Sequence, residues 1–588
     1  MSAVNSAAVN SAAANSAAVT RVRAAYAAIQ AADRPEIWIA LRPEAEAIAE
    51  AERIDARTAA GQRLPLAGLV AAVKDNIDVA GLPTTAGAPS YSYRPSADAT
   101  SVARLRAAGA IILGKTNMDQ FATGLAGTRS PHGAVRCAWD PARISGGSSS
   151  GSAVAVALGL ADLALGTDTA GSGRVPAALN GIVGIKPTRG LIPATGVVPA
   201  CRTLDCVTVF ARSLDLAAQA VTLLSGPDGQ DPLARPRTPG TMFAASAAMA
   251  TETANISGGD GGRPRLAIPL PEQLKGMDAG WADDFDAAVA RFRAAGAEVI
   301  PVDIAPLLDA ATLLYGGAFV AERYAAVGAH IEAHEDLIGT GLDPVVARII
   351  LDGAKPSAAD YFADRERLDL LGARAAEILA GFDALLTPTT TGHPTIDEVA
   401  ADPVGANSRL GRFTNFANLL DMAAIAVPGR GNNGAFGVML TGAAGSDRHL
   451  ARLAALRESP PVDLLVVGAH LAGQPLNHEL LAAGGVLVCP ATTAAEYRLY
   501  ALDTVPAKPG LVRVTADGSA IAGEVWRLPA LGFARFLSGL AAPMAIGVVS
   551  LGDGREVLGF VCEPVAVEGA TDITGYGGWR AWRTAQVR

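Results

Sequence analysis

The chain has 588 residues, of which 50% are hydrophobic and 18% are charged. This balance is typical of folded proteins and excludes a largely disordered chain. The net charge of −9 and the aromatic content of 5% argue against nucleic-acid binding, which usually relies on a basic surface and stacking rings.

Short apolar strands and amphipathic helices alternate along most of the chain. Residues 1–20 repeat Asn-Ser-Ala-Ala and are predicted to be a disordered tail, and helical patterning begins near Val22. The predicted strands are 66–73, 110–113, 163–166 and 298–300, and the predicted helices are 43–60, 101–108, 152–160 and 283–295. Because helices are interleaved with buried strands, the pattern predicts an α/β domain built on one large sheet.

The composition changes again toward the C-terminal quarter of the chain. A Gly-rich stretch at 251–263 is predicted to be a loop. Gly and Pro residues bracket a basic helix within 441–462, which we predict to be a linker. We therefore predict one domain over 21–440 and a smaller, β-rich α+β domain over 463–588.

Two motifs match familiar signatures but lack the structural context that these signatures need. Residues 109–116 fit the P-loop pattern, yet their middle is an apolar run that belongs in a sheet, whereas a P-loop cradles phosphate with exposed backbone N–H groups. Residues 147–151 fit the G-x-S-x-G nucleophile elbow, which requires an apolar strand directly before it; residues 141–144 are not one. Nucleotide binding and a Ser-His-Asp hydrolase, for which only His132 lies near this loop, are therefore disfavoured.

Three separated polar features form a candidate catalytic set. A Gly/Ser-rich loop contains Ser148, a Gly-Thr-Asp run ends in Ser172, and Lys74 follows an apolar run. Each feature alone is typical of a turn or a surface charge. Together with the segment 181–188, they closely resemble the amidase signature family.

This resemblance is strong over 66–190 and extends loosely to about residue 440. It implies the amidase signature fold, with a large mixed central sheet covered by helices. It also implies a Ser-Ser-Lys triad in which Ser172 is the nucleophile, Ser148 the bridging serine and Lys74 the base. Because a free lysine has a pKa near 10.4, burial would have to lower the pKa of Lys74 toward ~7–8 for it to act as a base at neutral pH.

The resemblance further assigns the oxyanion hole to backbone N–H groups after the Gly-Thr-Asp run. These belong to Thr169, Ala170, Gly171 and Ser172. Ala170 and Ser150 are departures, because the family usually has Gly at both places. An N–H group is supplied by the main chain, so Ala170 is compatible with this role.

Two features indicate the substrate. Tyr315 and Arg323 have a spacing that by itself is typical of an ordinary helix face. The segment 467–480 resembles the C-terminal domain of the allophanate hydrolase group of this family. The resemblance to that group implies that Tyr315 and Arg323 bind the carboxylate of the substrate. It also implies that Gly124 makes backbone contacts near the amide.

The implied reaction belongs to urea degradation. Allophanate, a small anionic amide, would be hydrolysed to ammonia and N-carboxycarbamate. The C-terminal domain, whose fold resembles the γ-glutamyl cyclotransferase type, would then assist decarboxylation, with His470 as the candidate group. Two alternatives stay open: a general small-amide amidase of the same family, and a C-terminal module that docks a urea carboxylase.

The cellular setting is also an expectation at this point. Five scattered cysteines indicate reduced thiols, and the sequence shows neither a signal peptide nor an apolar run long enough to span a membrane. We therefore expect a cytoplasmic protein with no membrane contact, no metal and no cofactor. The resemblance implies a homodimer and a functional link to a urea carboxylase.

Overall fold

A computed structural model describes residues 17–238, 263–429, 436–457 and 461–586. The chain divides into two units, one formed mainly by residues up to 454 and the other mainly by residues from 455 onward. This division falls inside the segment 441–462. The bounds given above for the linker and the two domains stay predictions.

The larger unit is built on an eleven-stranded sheet. Its strands are β1 Trp38–Leu41, β2 Val70–Lys74, β3 Ile111–Thr116, β4 Leu163–Asp168, β5 Val183–Lys186, β6 Cys206–Ala211, β7 Arg265–Pro269, β8 Glu298–Val302, β9 Ala384–Pro388, β10 Ala423–Pro428 and β11 Gly437–Gly442. They lie in the order β1-β3-β2-β4-β6-β5-β10-β11-β9-β7-β8. β2 is parallel to β3 and β4, whereas β6 is antiparallel to β4. The predicted large mixed sheet is confirmed.

Helices accompany these strands along the chain. Those before residue 457 are α1 Ala17–Ala32, α2 Glu44–Ala59, α3 Thr100–Ala107, α4 Ser150–Ala157, α5 Val175–Leu179, α6 Leu214–Leu224, α7 Trp281–Ala294, α8 Ala305–Gly316, α9 Ala321–Glu332, α10 Pro344–Asp352, α11 Ala358–Leu379, α12 Ile396–Ala401, α13 Gly405–Leu410, α14 Asn415–Leu419 and α15 Asp447–Leu456. The four predicted helices correspond to α2, α3, α4 and α7. Capping chemistry explains some of the boundaries: Ser357 and Asp360 bond each other's backbone N–H groups where α11 begins.

The central strands of the sheet are covered on both faces. Every residue of β2, β3 and β4 is buried, as expected for strands enclosed by helices. Polar side chains in these strands, such as Lys74, Lys115 and Thr167, are therefore out of water and need partners inside the protein.

Two predicted segments need correction or fall outside the described residues. The predicted tail, 1–20, is four residues too long, because Ala17–Ala32 is helical and Ala18 and Val19 are buried. The backbone N–H of Ala18 also bonds the carboxylate of Asp55. Residues 1–16, and residues 251–262 of the predicted loop, lie outside the described part of the chain.

The smaller unit is β-rich, as predicted. Its strands are β12 Val462–Val466, β13 Val486–Thr492, β14 Tyr497–Leu502, β15 Lys508–Arg513, β16 Ala522–Leu528, β17 Met544–Ser550, β18 Glu556–Cys562 and β19 Thr571–Asp572. They form a five-stranded sheet, β13-β16-β12-β18-β17, and a three-stranded sheet, β15-β14-β19. Its helices are α16 Asn477–Ala482, α17 Ala530–Ser538 and α18 Trp579–Gln586.

No helix within the four described ranges is long and apolar enough to cross a bilayer. The same residues contain no group of three or more His, Cys, Asp or Glu side chains arranged to hold a metal ion.

Candidate active site

Neighbouring strands and a helix bring Lys74, Ser148 and Ser172 together. Lys74 is the last residue of β2, and Ser172 follows β4, which is the parallel neighbour of β2. Ser148 lies just before α4. The Nζ atom of Lys74 is 2.8 Å from Ser148 Oγ, which is 2.9 Å from Ser172 Oγ. The three predicted residues thus form one chain of hydrogen bonds.

The environment of Lys74 favours its neutral amine. Its side chain is fully buried, and this burial lowers the pKa of Lys74 to about 7. The buried carboxylates of Asp119, Asp168 and Asp205 act in the opposite direction and keep the pKa from falling further. The amine can therefore gain and lose a proton near neutral pH.

The direction of the hydrogen bonds depends on this proton. When Lys74 is charged, Nζ donates to Ser148 and Ser148 donates to Ser172. When Lys74 is neutral, the same distances allow both bonds to reverse, so that Ser172 donates to Ser148 and Ser148 donates to the amine. Only the second arrangement prepares the Ser172 oxygen for attack.

Thr167 and Asn76 support Lys74, and the sequence interpretation missed both residues. Lys74 Nζ lies 2.8 Å from Thr167 Oγ1 and 3.5 Å from the Thr167 carbonyl oxygen. The amide nitrogen of Asn76 donates to Thr167 Oγ1 and to the Val198 carbonyl oxygen, at 3.2 Å each. A neutral amine has two N–H bonds, and the two oxygens of Thr167 can accept both, which leaves the lone pair facing Ser148.

The turn after β4 presents backbone N–H groups beside Ser172. In the described part of the chain, the N–H groups of Thr169, Ala170, Gly171 and Ser172 have no backbone acceptor. These residues stay the candidate oxyanion hole.

A buried ion pair fixes the shape of this turn. The carboxylate of Asp168 accepts two bonds of 2.8 Å from Arg174 and one of 2.9 Å from the Gly173 N–H. Both side chains are fully buried. Asp168 is therefore held as an acceptor and is not placed to act as an acid.

Close packing explains the glycines in the two loops. A Cβ atom at Gly147 would lie 2.1 Å from a carboxylate oxygen of Asp119, and one at Gly171 would lie 2.4 Å from Thr414 Oγ1. The two departures from the family pattern fit the structure. Ala170 is buried, and the Ser150 hydroxyl donates to the Asn117 carbonyl oxygen.

Tyr315 and Arg323 meet between α8 and α9. One terminal nitrogen of Arg323 donates to the Tyr315 hydroxyl at 2.9 Å, and the other donates to Thr123 Oγ1 at 2.8 Å. Arg323 is only 1% exposed, which does not fit a surface arginine on a helix face. Tyr315 and Gly124 line a cavity of about 190 Å³. The three predicted substrate-binding residues are thus neighbours.

His470 lies in the smaller unit. Its Nε2 atom is 2.8 Å from Glu479 Oε2, and its ring stacks on Phe560 with 4.8 Å between centroids. Burial is the main reason that the pKa of His470 is lowered, against the opposing effect of the hydrogen bond to Glu479. His478, at the start of α16, is exposed.

The two misleading motifs have structural roles. Residues 111–116 of the P-loop match form β3, and Lys115 pairs with Asp75 at 3.3 Å inside the protein. The serine at the centre of the G-x-S-x-G match, Ser149, donates to the Thr167 carbonyl oxygen. The structure thus agrees with the sequence context, which disfavoured both interpretations.

Family models match both units of the chain. The model described as Amidase matches residues 21–451. The model described as Allophanate hydrolase C-terminal domain matches residues 462–584.

Known proteins share one or both of these parts. SeMet-substituted Kluyveromyces lactis allophanate hydrolase is 36% identical, with a TM-score of 0.67 and 98% of each chain covered. Urea amidolyase from Lachancea kluyveri is 40% identical over 93% of this chain, which spans only 31% of that protein's length. One subunit of the glutamyl-tRNA(Gln) amidotransferase from Symbiobacterium thermophilum is 37% identical, over 65% of this chain and 80% of that protein.

Proposed function

The chain belongs to the amidase signature family, and from this premise we propose that it hydrolyses allophanate to ammonia and N-carboxycarbamate. The observation that carries the proposal is the buried Lys74–Ser148–Ser172 chain of hydrogen bonds. Similarity to an allophanate hydrolase over 98% of both chains supports the choice of substrate. So does the Tyr315–Arg323 pair, since a guanidinium binds a carboxylate well.

The first half of the reaction transfers the acyl group to Ser172. Neutral Lys74 takes the proton of Ser148 while Ser148 takes that of Ser172, and the Ser172 oxygen attacks the terminal carbonyl carbon of allophanate. The carbonyl oxygen becomes an oxyanion that the N–H groups of residues 169–172 stabilise, at about 3–4 kcal/mol for each donor. The lysine proton then returns through Ser148 to the leaving nitrogen, and ammonia departs.

The second half regenerates the enzyme. Water gives a proton through Ser148 to Lys74 as its oxygen attacks the ester carbon. The bond between that carbon and Ser172 Oγ then breaks, the proton returns through Ser148 to Ser172 Oγ, and N-carboxycarbamate leaves. The lowered pKa of Lys74, about 7 in place of 10.5, makes this possible at neutral pH. The difference corresponds to about 5 kcal/mol in favour of the neutral amine.

Removing the guanidinium of Arg323 tests the substrate assignment. Arg323→Ala is expected to lower kcat/KM for allophanate by about 100-fold or more, because a charged hydrogen-bonding partner of the carboxylate is lost. Hydrolysis of a neutral small amide should persist. Ammonia release measures both reactions.

Tyr315→Phe is the matched variant, because it removes one hydroxyl from the same pair and keeps the ring against Arg323. Its loss on allophanate should be smaller. An Arg323→Ala protein that hydrolyses allophanate like the wild type would contradict the carboxylate contact and favour a general small-amide amidase.

For the smaller unit, we propose that it assists decarboxylation of N-carboxycarbamate, with His470 taking part. In this step a C–N bond breaks, carbon dioxide leaves, and a proton reaches the nitrogen to give carbamate. His470 is 8% exposed and bonds the partly exposed Glu479. It borders a cavity that Lys508 also lines, and a cation suits an anionic intermediate. We also propose a cytoplasmic homodimer with a functional link to a urea carboxylase.

His470→Ala is expected to leave ammonia release unchanged and to slow carbon dioxide release, because the two steps use different units. Parallel assays of both gases on the full chain give the comparison. His478→Ala is the control, since that side chain is exposed. Equal carbon dioxide rates in wild type and His470→Ala would contradict a role for His470 and favour a docking function.

A further inference from the structure

A second arginine lines the cavity beside Tyr315 and is only 5% exposed. One terminal nitrogen of Arg129 donates to the Thr123 carbonyl oxygen at 3.0 Å, and the other donates to the Pro403 carbonyl oxygen at 2.5 Å. Its buried Nε–H has no acceptor among the described residues. No carboxylate in that part of the chain lies within ion-pair distance of Arg129.

Arg174 is a buried arginine with a structural role and serves for comparison with Arg129. Arg174 is fully buried and has a two-bond contact with the Asp168 carboxylate. A buried charge without such a partner destabilises the fold. Arg129 has no such ion pair among the described residues, and it lines a cavity that Asp352 also lines.

Asp119 interacts with the charge of Arg129 but forms no side-chain ion pair with it among the described residues. The carboxylate of Asp119 accepts hydrogen bonds from the backbone N–H groups of Gly127 and Arg129, at 3.0 and 2.9 Å. Burial raises the pKa of Asp119, and the nearby charge of Arg129 acts to lower it. The guanidinium keeps unpaired donors.

Arg129 and Arg323 converge on one residue. Arg129 bonds the carbonyl oxygen of Thr123, and Arg323 bonds the hydroxyl of Thr123. The buried Nε of Arg323 is also without an acceptor among the described residues. Both guanidiniums thus contact Thr123, and a bound anion would offset the repulsion between two like charges on the same residue.

We propose that Arg129 is a second anion-binding residue of the cavity lined by Gly124, Tyr315 and Arg129, so that the substrate carboxylate is bound by two arginines. The inference rests on the proposed function, in that it takes the anionic amide to bind there. The ligand class is a short monocarboxylate whose amide lies within a few bonds of the carboxylate. Malonamate and malonamide form a suitable pair, because they differ only in a carboxylate replaced by a carboxamide.

Arg129→Gln removes the charge and keeps one hydrogen-bond donor group. We expect kcat/KM for malonamate to fall by about 30-fold or more, mainly through KM, because a charge-assisted contact is lost. The value for malonamide should change by less than about threefold. Arg129→Lys should recover part of the loss. Arg21→Gln, at an exposed position in the same unit, controls for net charge.

Equal losses of kcat/KM for malonamate and malonamide, or no loss for malonamate, would overturn the proposal. The role of Arg129 would then be structural, through its hydrogen bonds to the carbonyl oxygens of Thr123 and Pro403. If Arg129→Gln does not fold, as judged by its melting curve, Arg129→Lys gives the same comparison with a smaller malonamate-specific loss.

A second readout does not need turnover. Malonamate should protect Ser172 of the wild type from labelling by a fluorophosphonate. In the Arg129→Gln variant, the same protection of Ser172 should require about 30-fold more malonamate. Absence of protection in the wild type would overturn the proposal. Turnover of allophanate itself is measured separately: a wild type that is inactive on allophanate but prefers malonamate would refute the proposed function and leave the two-arginine site standing.

Discussion

Ser172→Ala is expected to stop ammonia release, with a fall in kcat of about 10⁴-fold or more. Alanine removes the oxygen that attacks the amide, and the other two residues cannot replace it, because they only move its proton. The variant should fold normally, since Ser172 contributes one hydrogen bond to the chain that starts at Lys74. An ammonia assay with allophanate measures the effect.

Ser101→Ala is a matched control. Ser101 is a buried serine of α3 whose hydroxyl has no partner in the described ranges, so its loss should leave the rate unchanged. A Ser172→Ala protein with more than a few per cent of wild-type activity would show that another group attacks the amide.

Lys74→Met is expected to lower kcat by about 10³-fold, which is within the range for loss of a general base. Methionine has a similar length and suits the buried site, so the fold should persist while Ser148 loses its proton acceptor. Lys275→Met removes an exposed lysine and should have no effect. Retention of a tenth or more of the activity at pH 8 would show that Lys74 is not the base.

The elements around the triad could be predicted from the sequence because each has a strong local signal. The run 163–166 is wholly apolar, and β4 begins at Leu163. The Gly/Ser-rich loop comes before α4, and the Gly-Thr-Asp run ends β4, so Ser148 and Ser172 lie in loops next to these elements. Lys74 is the last residue of a buried strand, as its position after an apolar run indicated.

The order of the strands could not be read from local patterns. β5 lies next to β10, more than 200 residues away in the chain, and β6 lies between β4 and β5. Such neighbours depend on which buried faces fit together, and periodicity carries no information on that. The expectation of a mixed sheet came from the family resemblance.

The supporting residues of the site were missed for a similar reason. Asn76 and Thr167 flank predicted elements and look like ordinary polar positions, and only their contacts with Lys74 and Val198 give them a role. Arg129 stands in a loop among small and polar residues. Its lack of an ion-pair partner among the described residues becomes visible only when Thr123, Pro403 and Asp119 are placed around it.

The central claim is that a buried, neutral lysine withdraws the proton of Ser172 through Ser148. It is tested most directly by the rate at which a fluorophosphonate modifies Ser172 between pH 5.5 and 9, followed by mass spectrometry. Because burial lowers the pKa of Lys74 to about 7, the amine is charged below this pH and neutral above it. The wild-type rate should rise through pH 7, reach a plateau above pH 8, and be about tenfold lower at pH 6. Lys74→Met should be slow at every pH. A wild-type rate that is flat from pH 6 to 9 would contradict the account.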